Sequence, residues 1–386
     1  MRIAHVTNYW PNEAGHAYYT ENLMNGIHVH RPERQYVIGE GNTDAKETDV
    51  YRAAPYWSRN EDYVENVLRG LREAKADVAY LQYSDDLFGT DNRFPRLIEA
   101  MEKQGTRAIV VTHSVYPASR KMKFEPGGTV VEFDRACGNA ASCMHVHTTR
   151  MKTELIERGL DASKIAVVAH GSLAMEKRDQ AASRRELGIP ENAKVVLFFG
   201  FIWTGKGVER LQSAFRLVKK RVPNAFLYIG GYTRAKKWGF YVKYLQLRGA
   251  MLGISSSSRL SFQYVPKDQV PSVFSAADVV AMPYRQDYAS VSGVVHQTAG
   301  IGKLMVCSRI SKFDEVGEHV SPELLADPDS TEEWANRIER LLVDDKFADE
   351  MRTKILKFGE DTSWPNVGKQ HAELCERLAA GKPAAG

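Results

Sequence analysis

Cysteine is scarce in this sequence, four in 386 residues, and Cys137, Cys143, Cys307 and Cys375 form neither a CxxC pair nor a zinc-binding spacing. That excludes a disulfide scaffold and fits a reducing cytoplasm. No apolar run reaches the about 18–20 uncharged residues that cross a bilayer. The opening run Met1–Thr7 is broken by His5 and followed by Pro11, so it lacks a secretory leader's apolar stretch and reads as a first strand. Any membrane contact is expected to be peripheral. With 52 Lys and Arg against 48 Asp and Glu, the net charge of +4 lacks the excess of a dedicated nucleic-acid binder, and no nucleic-acid module is visible. Proline and glycine are not enriched, which excludes fibrous and disordered classes. The P-loop spacing GxxxxGK[ST] is missing, and the first strand–helix loop has no GxGxxG, which ranks a dinucleotide-dependent dehydrogenase last among α/β options.

What is present is an alternation of short Val-, Ile- and aromatic-rich runs with longer amphipathic stretches, the pattern of parallel strands joined by crossover helices. The fold class is α/β. Expected strands in the first half are 2–7, 35–39, 78–82, 108–112, 144–148 and 165–169, with helices at 17–29 and 60–75. A second series opens with the fully apolar run 195–200 and continues at 225–229, 260–264, 279–282 and 304–307. Its helices are expected at 207–221, 242–253, 270–276, 293–300 and 332–343. The domains read as 1–178 and 179–365, with 366–386 a helix returning to the first domain and then a frayed tail from Leu378.

Three loops carry candidate chemistry. Asn8–His16 joins the first strand to a helix, and Gly15 would let backbone approach a ligand at a helix N-terminus; an ordinary βα turn fits the same residues equally well. Gly200–Gly207 presents Lys206, beside Gly205, at a glycine-lined strand end ahead of a helix, a geometry that suits a diphosphate and its leaving-group charge. A solvated loop lysine is the plainer alternative. Ser292 stands where a helix N-cap belongs, and the amides of Gly293, Val294 and Val295 suit phosphate oxygens, with simple capping the alternative. One turn on, Gln297 is in reach of a ribose hydroxyl or of the backbone.

In their order along the chain these features resemble the group 1, retaining glycosyltransferases of the GT-B fold. The resemblance is carried by the Gly15 loop, Thr112-His113-Ser114, Gly200–Leu211 and Ser292–Val306, and covers essentially the whole chain. It implies two Rossmann-like domains with parallel sheets facing across a cleft, a nucleotide diphosphate sugar as co-substrate held mainly by the second domain, and an acceptor entering from the first. No other cofactor and no catalytic metal are expected; Asp85-Asp86 and Asp327-Pro328-Asp329 close no strand of the second sheet. The resemblance further implies transfer of a hexose-type sugar with retention, His113 facing that sugar, Lys206 as the phosphate lysine and Val265, in Gln263–Pro266, near the nucleobase.

Three positions depart from the family pattern. Phe201 stands where an arginine often accompanies the lysine, and the paired glutamates eight positions apart fall on Ala289 and Gln297. A catalytically silent nucleotide-sugar-binding protein of the same fold, or a sugar-nucleotide epimerase, therefore remains as an alternative. Residues 234–248 interleave basic and aromatic side chains, which suits a lipid surface at the inner face of a membrane, a sugar-phosphate acceptor, or a plain surface helix.

Overall fold

The computed structural model describes residues 1–12, 15–233 and 236–385. Glu13 and Ala14 of the first loop, Arg234 and Ala235 of the basic–aromatic segment, and the terminal Gly386 lie outside them. The chain divides into two compact units. The first comprises Met1–Gly171, Tyr288–Val291 and Trp364–Gly386; the second comprises Ser172–Asp287 and Ser292–Ser363.

The first unit is built on strands β1 (Ile3–Thr7), β2 (Gln35–Glu40), β3 (Lys46–Glu47), β4 (Tyr51–Trp57), β5 (Val78–Tyr83), β6 (Arg107–Thr112), β7 (Ser114–Val115), β8 (Cys143–Val146) and β9 (Ile165–Val167). Eight of them form one sheet in the order β3-β4-β2-β1-β5-β6-β8-β9, parallel except for the antiparallel edge strand β3. β1 and β5 are buried along their whole length, which is why their sequences run apolar on both faces instead of alternating. β4 escapes that pattern: Arg52 and Pro55 interrupt it, and its pairing with β2 shifts at Gly39/Glu40.

The C-terminal helix Trp364–Ala379 packs in this unit against the helix Gly15–His30. The two axes approach backbone to backbone, because a Cβ at Gly26 would strike the Trp364 carbonyl and one at Gly368 would strike Gly26. The tail expected to fray from Leu378 is instead held. Leu378 and Ala384 are buried, and the Ala385 N–H donates to the Ser163 carbonyl at 3.0 Å.

The second unit contains β10 (Lys194–Phe199), β11 (Ala225–Gly230), β12 (Ser258–Ser261) and β13 (Val279–Met282). β14 (Ala289–Ser290) pairs with β7 in the first unit, and β15 (Leu304–Ser308) and β16 (Leu325–Ala326) complete the second sheet. That sheet is parallel in the order β12-β11-β10-β13-β15-β16. Strand by strand this is the 3-2-1-4-5-6 order of a doubly wound fold, and the first sheet repeats it about β1. Its core interleaves Val196, Phe198 and Val280 from the strands with Leu211, Phe215 and Trp334 from the helices over them.

β12 lies two residues before the expected strand. The apolar run that suggested 260–264 belongs in part to the loop after it. Ser292 marks the start of the helix Gly293–Ile301, which ends at Gly302 in the left-handed region.

Candidate functional site

In an open parallel sheet the strand order reverses where two neighbouring crossovers run in opposite directions, and the loops there part to leave a crevice. In the second unit that point lies between β10 and β13. Lys206 sits on the loop after β10, in the short turn Thr204–Lys206. The loop after β13 locks it in place: the Arg285 N–H donates to the Gly205 carbonyl at 2.9 Å. Gly207 follows at φ 63°, and a Cβ there would collide with the Pro283 carbonyl, so glycine is required by conformation and by space. At Gly205 space alone is limiting, since a Cβ would meet the Trp203 ring.

These constraints hold the Lys206 ammonium 3.4 Å from the centroid of the buried Tyr284 ring. Burial, with the neighbouring charge of Lys312 adding to it, pushes Lys206 well below the ordinary lysine value. Lys312 is itself lowered to about 8 by burial, opposed by Glu315. Two ammonium groups lowered by burial, one of them also by the other's charge, are stabilised by an anion, and a doubly charged one serves better than a single carboxylate. Lys312 carries no sequence signal of its own. Its loop reaches the site because the Ser311 N–H donates to Asp287 at 2.8 Å and Phe313 packs on Tyr284, ring centroids 5.3 Å apart.

The helix Gly293–Ile301 starts at the same place, and the space a Cβ would occupy at Gly200 ends against Val294. Ser292 occupies the N-cap position in extended backbone, but its side chain caps no helix amide. The Val295 N–H donates to the Ser292 carbonyl at 2.9 Å, so it is already used. Gly293 and Val294 are left as the amides whose position in the first turn denies them a helical partner. Gln297 lies half-buried one turn further on, while His296 faces inward between Ser172 and Glu315, with ring nitrogens 3.0 and 3.3 Å from them.

On the other side of β10, three aromatic residues follow three successive strand ends. Phe201, Tyr232 and Tyr264 stack edge to face, with centroids 5.3 and 5.4 Å apart. Val265 is half-buried in the loop beside them. Phe201, noted in the sequence only for the charge it lacks, is thus part of an aromatic wall. Each member belongs to a different crossover, so no local motif reveals it.

His113 lies in the first unit, at the end of β6, within a group of imidazoles. Its Nε2 is 2.9 Å from the Gln82 amide oxygen and its Nδ1 is 3.3 Å from His147 Nε2. His147 Nδ1 in turn faces the Val168 carbonyl at 3.3 Å. A carbonyl only accepts, so His147 carries its hydrogen on Nδ1 and accepts at Nε2, and His113 donates from Nδ1. His113 Nε2 is then an acceptor. Exchanging the oxygen and nitrogen of the Gln82 amide gives it a donor, and gives the otherwise unpartnered Gln82 nitrogen a partner. Burial and the surrounding histidines hold His113 well below the ordinary imidazole value, so it is neutral. Both ring nitrogens are occupied by protein.

Gly15 opens the first helix of this unit, exposed and with open space where a Cβ would go, so no close backbone approach accounts for a glycine there. Ala289, at the position of the missing glutamate, is buried in β14 opposite Val115 and belongs to the first unit's core. The two acidic clusters have protein partners: Asp85 pairs with Arg120, and Asp329 with Arg210 at 2.5 Å.

Two doubly wound α/β units in one chain are the pattern of the GT-B fold. Residues 179–358 match the family model of glycosyl transferases group 1. Among curated relatives, the D-inositol 3-phosphate glycosyltransferase of Corynebacterium urealyticum is 32% identical over 234 residues, 58% of this chain and 54% of that protein. The lipopolysaccharide 1,2-N-acetylglucosaminetransferase of Salmonella typhimurium is 28% identical over 224 residues, 56% of this chain and 58% of that one. The matches thus span about half the length of these relatives. Among solved structures, Anabaena HepE in complex with UDP superposes with a TM-score of 0.76 at 18% identity, over 98% of this chain and 100% of that one. Sucrose-phosphate synthase from Thermosynechococcus elongatus gives 0.75 at 16% identity, over 99% and 100%.

Proposed function

We propose that this protein is a cytoplasmic glycosyltransferase that moves a hexose-type sugar from a nucleotide diphosphate sugar to a hydroxyl-bearing acceptor, with retention and without a catalytic metal or further cofactor. The observation that carries the reading is the convergence of Lys206, Lys312 and the Gly293 and Val294 amides at the strand switch point of the second unit. The relatives support it, since the curated ones are named as glycosyltransferases and HepE was solved with UDP.

The bond between the anomeric carbon and the phosphate oxygen breaks, and its electron pair becomes charge on the departing diphosphate. Lys206 and Lys312 neutralise that charge, and the helix amides donate to it; donors fixed before the reaction stabilise the transition state without reorganising. The acceptor oxygen bonds to the anomeric carbon, and its proton passes to the leaving phosphate on the same face. In this scheme the two ammonium groups supply charge that a divalent ion would otherwise bring. Phe201, Tyr232 and Tyr264, with Val265 beside them, form the surface for the nucleobase, and Gln297 is the group offered to the ribose. The acceptor belongs to the class of sugar, glycolipid or small polyol hydroxyls. His113 enters as a neutral group whose ring is held by Gln82 and His147.

A second reading rests on Ala289, which leaves an apolar strand residue where related enzymes position the sugar with a carboxylate. In it the protein binds nucleotide sugars without turning them over. A thermal-shift panel of nucleotide diphosphate sugars, followed by an assay of donor consumption, separates the two. A ligand specific for the folded state raises the melting temperature, by the equivalent of about 2.7 kcal/mol at a hundredfold excess over Kd. The transferase reading requires a stabilising donor that is then hydrolysed or transferred. Stabilisation without consumption supports the silent protein, and no stabilisation by any donor contradicts both.

A further inference from the structure

The helix Gly239–Met251 is apolar on two faces. One face, with Tyr241, Leu245 and Gly249, is buried against the second unit. Along the other, Phe240 is 65% exposed, Tyr244 44%, Leu247 67% and Met251 86%. Their spacing of four, three and four places them in a single stripe. Elsewhere among the described residues large exposed hydrophobics are scattered; here they line up, and an aligned apolar patch on a soluble unit marks a surface that meets something.

The charge around the stripe is one-sided. Residues 210–267 contain twelve lysines and arginines and no aspartate or glutamate, although the whole chain is nearly balanced at +4. Lys237 and Lys243 stand exposed at the start of the helix, with the Lys237 ammonium 5.3 Å from the Trp238 ring centroid. An apolar stripe among cations, with aromatic rings at one end, fits an anionic bilayer: the stripe enters the acyl boundary and the lysines meet the headgroups.

A second copy of this chain fits less well. Thirteen residues make a helix about 20 Å long. One side-chain row along it offers far less than the roughly 1,200 Å² that a stable protein interface buries. Pairing two such faces would also bring like charges together.

We propose that this helix docks the protein on an anionic lipid surface such as the inner face of a membrane, through Phe240, Tyr244, Leu247 and Met251 flanked by Lys237 and Lys243. Docking requires no donor, so it stands or falls apart from the catalytic reading.

The test is co-sedimentation of the full chain with phosphatidylcholine vesicles, with and without phosphatidylglycerol, for the native protein and for two variants. One combines F240S, L247S and M251S; the other combines K237E and K243E. The native protein should partition onto the anionic vesicles and only weakly onto neutral ones, less so as salt is raised. The serine variant should lose at least about ten-fold in partition, and the glutamate variant should lose the preference for anionic lipid. All five substituted positions are surface side chains, so unchanged melting temperatures and unchanged thermal response to UDP should accompany the loss. Failure of the native protein to sediment with anionic vesicles overturns the proposal, as does full binding by the serine variant. A concentration-dependent dimer that the serine variant abolishes, in place of vesicle binding, would assign the stripe to a second copy and also overturn it.

Discussion

At the scale of the residue, the second unit's site is defined by cations whose surroundings disfavour their charge. Lys206 is held over Tyr284 and depressed by burial and by Lys312, which is itself lowered to about 8. In the free protein both amines hold their protons less tightly than they would in the unfolded chain. Their contribution to stability is therefore unfavourable at low pH, and for Lys312 it eases as pH rises from about 8 toward the ordinary lysine value. A bound diphosphate reverses the preference. We expect UDP or inorganic pyrophosphate to bind with proton uptake near pH 8 and to lose affinity as pH rises beyond it. Lys312→Gln should weaken binding at pH 7 by about ten-fold, the equivalent of roughly 1.4 kcal/mol, and flatten the pH profile above 8. Calorimetry in buffers of different ionisation enthalpy reads both. Binding by Lys312→Gln with unchanged affinity and proton uptake would remove Lys312 from the site.

Lys206 was legible because glycines flank it at a strand end, and its neighbours Gly293 and Val294 because a Ser-Gly step precedes an apolar run. Lys312 was not, since it lies more than a hundred residues downstream and approaches through contacts of Ser311 and Phe313 that leave no pattern in sequence. His113 could be placed at a strand end, but its neutral state depends on His147 and Gln82 from other strands.

At the scale of the element, the helix Gly293–Ile301 presents its first amides to the site only if its far end is seated correctly. That seat is made by glycines. A Cβ at Gly300 would overlap the Leu173 carbonyl, and one at Gly359, in the helix Asp345–Asp361, would overlap the Ala299 carbonyl. Gly300→Ala should therefore destabilise the protein by about 1–3 kcal/mol despite alanine's better helix propensity, because the obstacle is backbone and cannot rotate away. Gly239→Ala, with open space around it, should change stability by less than about 0.5 kcal/mol. Urea unfolding of the two variants checks the contrast; equal midpoints would mean that the helix tolerates movement at that end. Gly300 and Gly359 gave no sign in the sequence of being packing contacts, since each looks like an ordinary helical glycine until the partner backbone is in view. The buried parallel strands were the most legible elements, their apolar runs being long and uninterrupted. β4 was hidden by Arg52 and Pro55, and β14 by its two-residue length inside a polar loop.

At the scale of the whole molecule, the same strand order recurs in both sheets, and the second unit draws Lys206, the Gly293 and Val294 amides and Lys312 from the segments that follow β10, β13 and β15. The α/β class and the presence of two units followed from the repeated alternation of strand and helix. One part of the chain path left no mark in the sequence: residues 288–291 are counted with the first unit, although second-unit sequence stands on both sides of them. The strand pairing that draws Ala289 into that unit's core also accounts for the lost carboxylate position.

The central claim is that Lys206 stabilises the departing diphosphate. The most direct measurement is donor turnover by the native protein and by Lys206→Ala, using whichever nucleotide sugar raises the melting temperature most. The account predicts a fall in kcat of about 10²–10³-fold, the loss seen when a preorganised charge-stabilising donor is removed, with the fold intact by circular dichroism. Turnover by Lys206→Ala within about two-fold of the native rate would contradict it, since a change that small is under 0.5 kcal/mol of transition-state stabilisation.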